Sequence, residues 1–159
     1  MMMHYWSDGV SIRDYRRDDR SPLLRLLTIV PRLYPNGSEW LLRRLDDIES
    51  GNASCTLVCK NEKIGGVLID TDKGTRSKKI STFFVDDKLA NQGLGSRLFS
   101  SCRLRWLRSG IDKLHITVAG ERRVNIEKFL IARNFKPIAF EHGRYGPMRD
   151  EIIYSTTLS

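Results

Sequence analysis

The stretch Phe83–Cys102, FFVDDKLANQGLGSRLFSSC, decides the fold. It begins as an apolar run of strand type, passes through Asn91-Gln92-Gly93-Leu94-Gly95, and continues with apolar residues at helical spacing. A strand, a glycine loop and a helix in that order gather free backbone N–H groups at the helix start. The helix dipole favours anions at the same place, phosphates above all. Glycine admits positive φ and lets a phosphate approach the backbone closely. The loop is not a Walker loop, because no Lys-Ser/Thr pair follows Gly95. It is not a dinucleotide fingerprint either. Leu98 stands where the third glycine would be, and the loop follows about the fourth strand rather than the first.

Working outward, the upstream chain opens with a strand at Val10-Ser11-Ile12. Ser21-Pro22 predicts a helix start, with Ser21 as N-cap, running to Val30 and stopped by Pro31. Tyr34-Pro35-Asn36-Gly37 is a turn cluster, and Ser38 caps a second helix that buries Leu41, Leu45 and Ile48 and ends at Gly51. Cys55–Cys59 and Ile64–Ile69 form a hairpin about Asn61-Glu62, and Lys79–Val85 is the strand that enters the loop. Downstream, Ser96–Ser109 is an amphipathic helix with Leu98, Phe99, Cys102 and Trp106 on one face. Leu114–Val118 reads as a buried strand and Glu121–Arg133 as a helix, with Asn134 left-handed at its end. Phe135–Phe140 and Glu151–Thr157 are the last strands. Strands and helices mix without separating into halves. This predicts one α/β (or α+β) domain over residues 1–159 with a mixed sheet.

Composition narrows the function classes. The chain has 159 residues, 40% hydrophobic and 29% charged, as expected of a globular domain with a sizeable core. No apolar run approaches the ~20 residues of a membrane span. MMMHYWSDG lacks the basic-then-apolar order of a signal peptide, so a cytoplasmic location is expected. Cys55, Cys59 and Cys102 sit in apolar segments and read as reduced core thiols. With three histidines and no close Cys/His pairs, a structural zinc site is not expected. The net charge of +8 suits a polyanionic partner, either nucleic acid or a phosphorylated ligand.

The run Val85–Leu98 resembles the acetyl-CoA pyrophosphate loop of the GNAT N-acetyltransferase superfamily, whose pattern is [Q/R]-x-x-G-x-[G/A] after a strand ending in Val. Lys63-Ile64-Gly65-Gly66 is similar to that family's third-strand start, and Phe129–Phe135 to its late helix-to-strand motif. The element order agrees over nearly the whole chain. The resemblance implies a GNAT-like fold: a central mixed, mainly antiparallel twisted sheet of about six to seven strands with about four flanking helices. It also implies acetyl-CoA as co-substrate and direct transfer of acetyl to a primary amine in a ternary complex. By resemblance, the backbone at Phe83 and Val85 would pair with the pantetheine arm, and Asn91, Gln92, Gly93, Leu94, Gly95 and Ser96 would hold the pyrophosphate. Arg97 is either a further phosphate contact or a solvated helix arginine.

Two positions depart from the family pattern. Ala90 stands at the loop head, where Arg or Gln is usual, and removes one side-chain phosphate contact. Leu130 stands where many members carry the tyrosine that protonates the leaving thiolate. Tyr145 and Tyr154 are then the tyrosines to test as acid. The proton of the amine needs an acceptor, for which His115, Glu141 and Glu151 are the candidates. The acceptor site would lie near the Tyr34–Gly37 turn and the Glu141–Arg149 loop. The acceptor itself is open between a small molecule, a peptide amine and, as in toxin-like members, the amine of an aminoacyl-tRNA. Two other readings stand beside the enzyme: a module that binds acyl-CoA without chemistry, and a nucleic-acid-binding protein. A homodimer is compatible with the resemblance.

Overall fold

Eight strands pair into one sheet in the order β1-β2-β3-β4-β5-β6-β8-β7. The computed structural model describes residues 4–5, 8–28, 36–89, 91–119, 123–142 and 150–158. In chain order the elements are β1 (His4–Tyr5), β2 (Val10–Asp14), α1 (Arg20–Leu26), α2 (Gly37–Glu49), β3 (Ser54–Lys60), β4 (Lys63–Asp72) and β5 (Ser77–Val85). After the loop come α3 (Leu94–Arg108), β6 (Lys113–Ala119), α4 (Arg123–Ala132), β7 (Lys136–Glu141) and β8 (Glu151–Thr157). Short 3-10 turns lie at Arg17–Asp19 and Asp87–Leu89. The sheet is mixed and mainly antiparallel, because among the described residues only β5 and β6 pair in parallel. No helix among the described residues is long and apolar enough to cross a membrane.

The sheet carries a core on each face. Val10, Ile12, Val58, Leu68, Ile80, Ile116 and Tyr154 pack with α3 and α4 on one side. Leu57, Val67 and Ile69 pack with Leu23 and Leu27 near α1 and with Leu41 and Leu45 of α2 on the other. This explains why β3 and β4 read as unbroken apolar runs rather than alternating ones: both their faces are covered. Asn61 and Glu62, with φ of 50° and 69°, turn β3 into β4 with the positive dihedrals that a two-residue hairpin loop needs.

Several helix starts differ from expectation. Ser21 is not an N-cap. A 3-10 turn leads straight into α1 at Arg20, and Asp19 fixes that entry by accepting from the Arg16 N–H at 2.7 Å and from Arg13 at 2.7 and 2.8 Å. Pro22 lies in the first turn, where no N–H is needed. Ser38 lies inside α2, whose first residue is Gly37 and which has no side-chain cap. β1, which pairs His4 with Ile12, is additional. The final strand enters between β6 and β7, so β8 has partners on both sides.

Candidate active site

The site arises where two neighbouring strands part. β5 and β6 are in register from Ser77↔Lys113 to Ile80↔Ile116 and no further, although β5 runs on to Val85 and β6 to Ala119. A cleft of about 430 Å³ opens beyond that point. Residues 81–85 form one wall and Ile116–Val118 the other, with Gly95, Ile126 and Phe129 beneath. β5 still pairs with β4 as far as Val85↔Gly66, so only its β6-facing backbone edge lacks a strand partner there.

A bulge prepares this edge. Ile69 pairs with Thr82 and Asp70 with Ile80, which leaves Ser81 as the extra residue; its hydroxyl donates to the Ile69 carbonyl at 3.3 Å. The extra residue shifts the phase of the strand. Phe83 and Val85 therefore join Ile80 on the α3–α4 face, while Thr82 and Phe84 turn to the α1–α2 face. Phe83 then enters an aromatic cluster, with its ring centre 5.2 Å from Phe129 and 6.3 Å from Phe99. Its side chain supports the cleft from below, and its backbone faces the opening.

The loop leads from β5 into α3. Gly65 lets it pass closely over β4, since a Cβ there would lie 2.6 Å from Leu89 Cδ1. The Asp86 N–H also donates to the Gly65 carbonyl at 2.8 Å. Asn91 and Gly93 have φ of 63° and 72°, and Asn91, Gln92 and Gly93 are exposed. Gly93 is the N-cap of α3, which begins at Leu94, two residues before the start at Ser96 read from the sequence. Among the described residues no side chain caps this helix, and its first turn holds no acidic residue. The N–H groups of Leu94, Gly95 and Ser96 precede the first bond of the helix ladder, which runs from the Arg97 N–H to the Gly93 carbonyl at 3.1 Å. An uncapped, acid-free helix start opening beside a cleft fits a phosphorylated ligand. Ala90 lies outside the described residues.

The other predicted site residues are distributed as follows. Arg97, open in the sequence between a phosphate contact and a solvated helix arginine, has its guanidinium paired with Asp8. His115 does not line the cleft. It stands on the face opposite Leu114 and Ile116, and burial, then Lys73 and Lys113, push its imidazole below the usual histidine range. Its Nδ1 is buried without a hydrogen-bond partner. Thr117, two positions along on the same face, does line the cleft. Glu151 is only 2% exposed and pairs in register with Ala119 and Glu141, on the face opposite Ile152. Tyr154 is fully buried in the α3–α4 core, which places it as a core residue and not as the cleft's acid. Leu130 is likewise 0% exposed. Tyr145 lies outside the described residues. The three thiols are inert core groups: burial raises Cys55 and Cys59, and pushes Cys102 up to about 11.

No protein-family model matches the chain, and no curated protein matches it significantly. Solved structures do. Ard1 from Thermoplasma volcanium superposes with a TM-score of 0.80 at 15% identity, covering 95% of this chain and 99% of its own. The ribosomal-protein-S18-alanine N-acetyltransferase from Escherichia coli gives 0.77 at 16%, covering 94% of each chain. An acetyltransferase of the GNAT family from Staphylococcus aureus Mu50 gives 0.77 at 17%, covering 94% of this chain and 99% of its own. The chain therefore has the fold of the GNAT acetyltransferases, with the parted strands and the glycine loop at one end of its sheet.

Proposed function

We propose that this protein is an acetyl-CoA-dependent N-acetyltransferase that acts on a primary amine by direct attack in a ternary complex. One juxtaposition carries the reading: the unpaired edge of β5 beyond Ile80 leads into the uncapped start of α3. Acetyl-CoA supplies an acyl group activated as a thioester. The β6-facing backbone of Phe83 and Val85 would take the amide-bearing arm as an added strand. The N–H groups of Leu94, Gly95 and Ser96, with the exposed backbone of Asn91, Gln92 and Gly93, would hold the pyrophosphate. Ile116, Val118, Ile126 and Phe129 give one side of the cleft an apolar surface for the arm to pack against. The amine must lose a proton. His115 and Glu151 share the sheet face of Thr117 and are the acceptors proposed for it, and Tyr145 is proposed as donor to the leaving thiolate.

Calorimetry with acetyl-CoA comes first. Absence of binding at ~1 mM, weaker than about −4 kcal/mol, removes the reading. A thiol-release assay over small amines, peptide N-termini and aminoacylated RNA then identifies the acceptor. The buried Leu130 favours one second reading, a module that holds acyl-CoA without turnover. Binding with no thiol release across the whole panel is its signature.

A further inference from the structure

Arg133, just past α4, points its guanidinium at the start of α3. Its Nη2 donates to Ser96 Oγ at 2.9 Å and its Nη1 to the Phe129 carbonyl at 3.2 Å. Its Cζ lies 3.5 Å from the centre of the Phe129 ring and 5.6 Å from that of Phe99. The side chain is half-buried, and burial alone is what lowers its pKa. Among the described residues it pairs with no carboxylate, in contrast to Arg97, which faces the same helix turn and is neutralised by Asp8. A guanidinium clamped by two rings against the positive end of a helix without first-turn acids is a concentration of like charge. Such an arrangement becomes favourable when an anion lies between the two. The two bonds in place use two of the five N–H donors and leave three for phosphate oxygens.

We propose that Arg133 is the phosphate-binding cation of the cofactor site, held in place by Phe129 and Ser96 and donating to a phosphate or pyrophosphate oxygen of CoA. The proposal rests on the acetyl-CoA reading and adds to it a residue outside the glycine loop. It also supplies, from a different element, a charge that Ala90 cannot bring.

The test is calorimetry of the full chain with CoA and with 3′-dephospho-CoA. Wild type is compared with Arg133→Met, which keeps an unbranched stem over Phe129, and with Arg133→Lys, which keeps the charge. The expected result is about a tenfold loss of CoA affinity in R133M at an unchanged melting midpoint, most of it recovered in R133K. Loss with CoA alone assigns the contact to the 3′-phosphate; equal loss with both ligands assigns it to the pyrophosphate. Wild-type affinity in R133M overturns the proposal. So does an R133K variant that is folded and at least tenfold weaker than wild type, a comparison that also decides the case if R133M does not fold. Failure of wild type itself to bind CoA at ~1 mM overturns the cofactor reading instead, so the two failures are distinct.

Discussion

Arg97 grips both carboxylate oxygens of Asp8, Nη2 to Oδ2 at 2.8 Å and Nη1 to Oδ1 at 3.2 Å. This draws the first turn of α3 toward the turn before β2 and occupies the guanidinium that the sequence offers to a phosphate. Each partner shifts the other: Arg97 holds the Asp8 carboxyl below its usual range, and Asp8 raises Arg97. Because the pair is solvent-exposed, Arg97→Ala is expected to change CoA affinity by less than about twofold. A tenfold loss by calorimetry would mean that Arg97 leaves Asp8 when the ligand arrives.

The two loop glycines differ in what they tolerate. Gly93 has φ +72°, so Gly93→Ala forces a Cβ into the left-handed region, costing roughly 1–2 kcal/mol of stability. Gly95 is helical, and a Cβ there meets only Val85 Cγ2 at 3.6 Å and Phe83 Cζ at 3.7 Å, which are ordinary contacts. Gly95→Ala is expected to be neutral or to stabilise by up to about 1 kcal/mol. Chemical denaturation of the two variants side by side checks the contrast. Equal losses would show that the loop is not held as described.

His115 gives a pH dependence with a definite sign. Burial, Lys73 and Lys113 place its folded pKa below the reference value of 6.5, so folding favours the neutral ring. Its contribution to stability is complete above pH 6.5 and is lost as pH falls through the depressed folded value. His115→Gln should therefore unfold less readily than wild type on mild acidification, and the two should converge above neutral pH. A parallel urea series at several pH values checks this. In turnover, the loss of an acid limb on His115→Gln or Glu151→Gln would identify which of the two accepts the proton.

Asp70 anchors the far end of α3. It is fully buried, with Oδ2 2.8 Å from Arg105 Nη2 and Oδ1 3.4 Å from Lys78 Nζ, and Arg105 also donates to Thr56 Oγ1 at 2.7 Å. Burial raises the Asp70 pKa, against the pull of Arg105 and Lys78. Arg105→Ala should cost about 3 kcal/mol near neutrality, because a buried carboxylate loses its main partner. A group whose folded pKa is raised loses stability as pH rises through that pKa. The R105A penalty should therefore shrink on acidification, and Asp70→Asn, which removes the charge, should cost less than R105A. Denaturation midpoints at neutral and acidic pH measure both.

Much of this was legible in the sequence for local reasons. Asn61-Glu62, Gly51 and Asn134 all carry the positive φ that suits the turn or helix end read at those positions. The apolar stripe Leu98, Phe99, Cys102 and Trp106 is buried as read. What escaped depends on the third dimension. No local rule announces that Ser81 is a bulge, yet it decides which face Phe83 and Thr82 occupy. Asp8 lies 89 positions from Arg97, and Ser96 lies 37 from Arg133, so one pairing engages an arginine that the sequence left open as a phosphate contact and the other brings a distant arginine to the start of α3. The burial of Tyr154 follows from β8 lying between β6 and β7, an order that the succession of elements does not specify.

That strand order also sets a schedule for assembly. β6, one wall of the cleft, touches β5 through four residue pairs but touches β8 through seven. Most of its ladder thus comes from a strand later in the sequence than every other element described. Until β8 has formed, β6 is an under-supported margin held to the sheet only by its parallel pairing with β5, and β7 lacks its strand partner, so the cleft has one firm side. Closing it requires contacts between distant parts of the chain, which are slow to form. The cleft end of the sheet should therefore be late to become ordered and the first to loosen when β8 is disturbed.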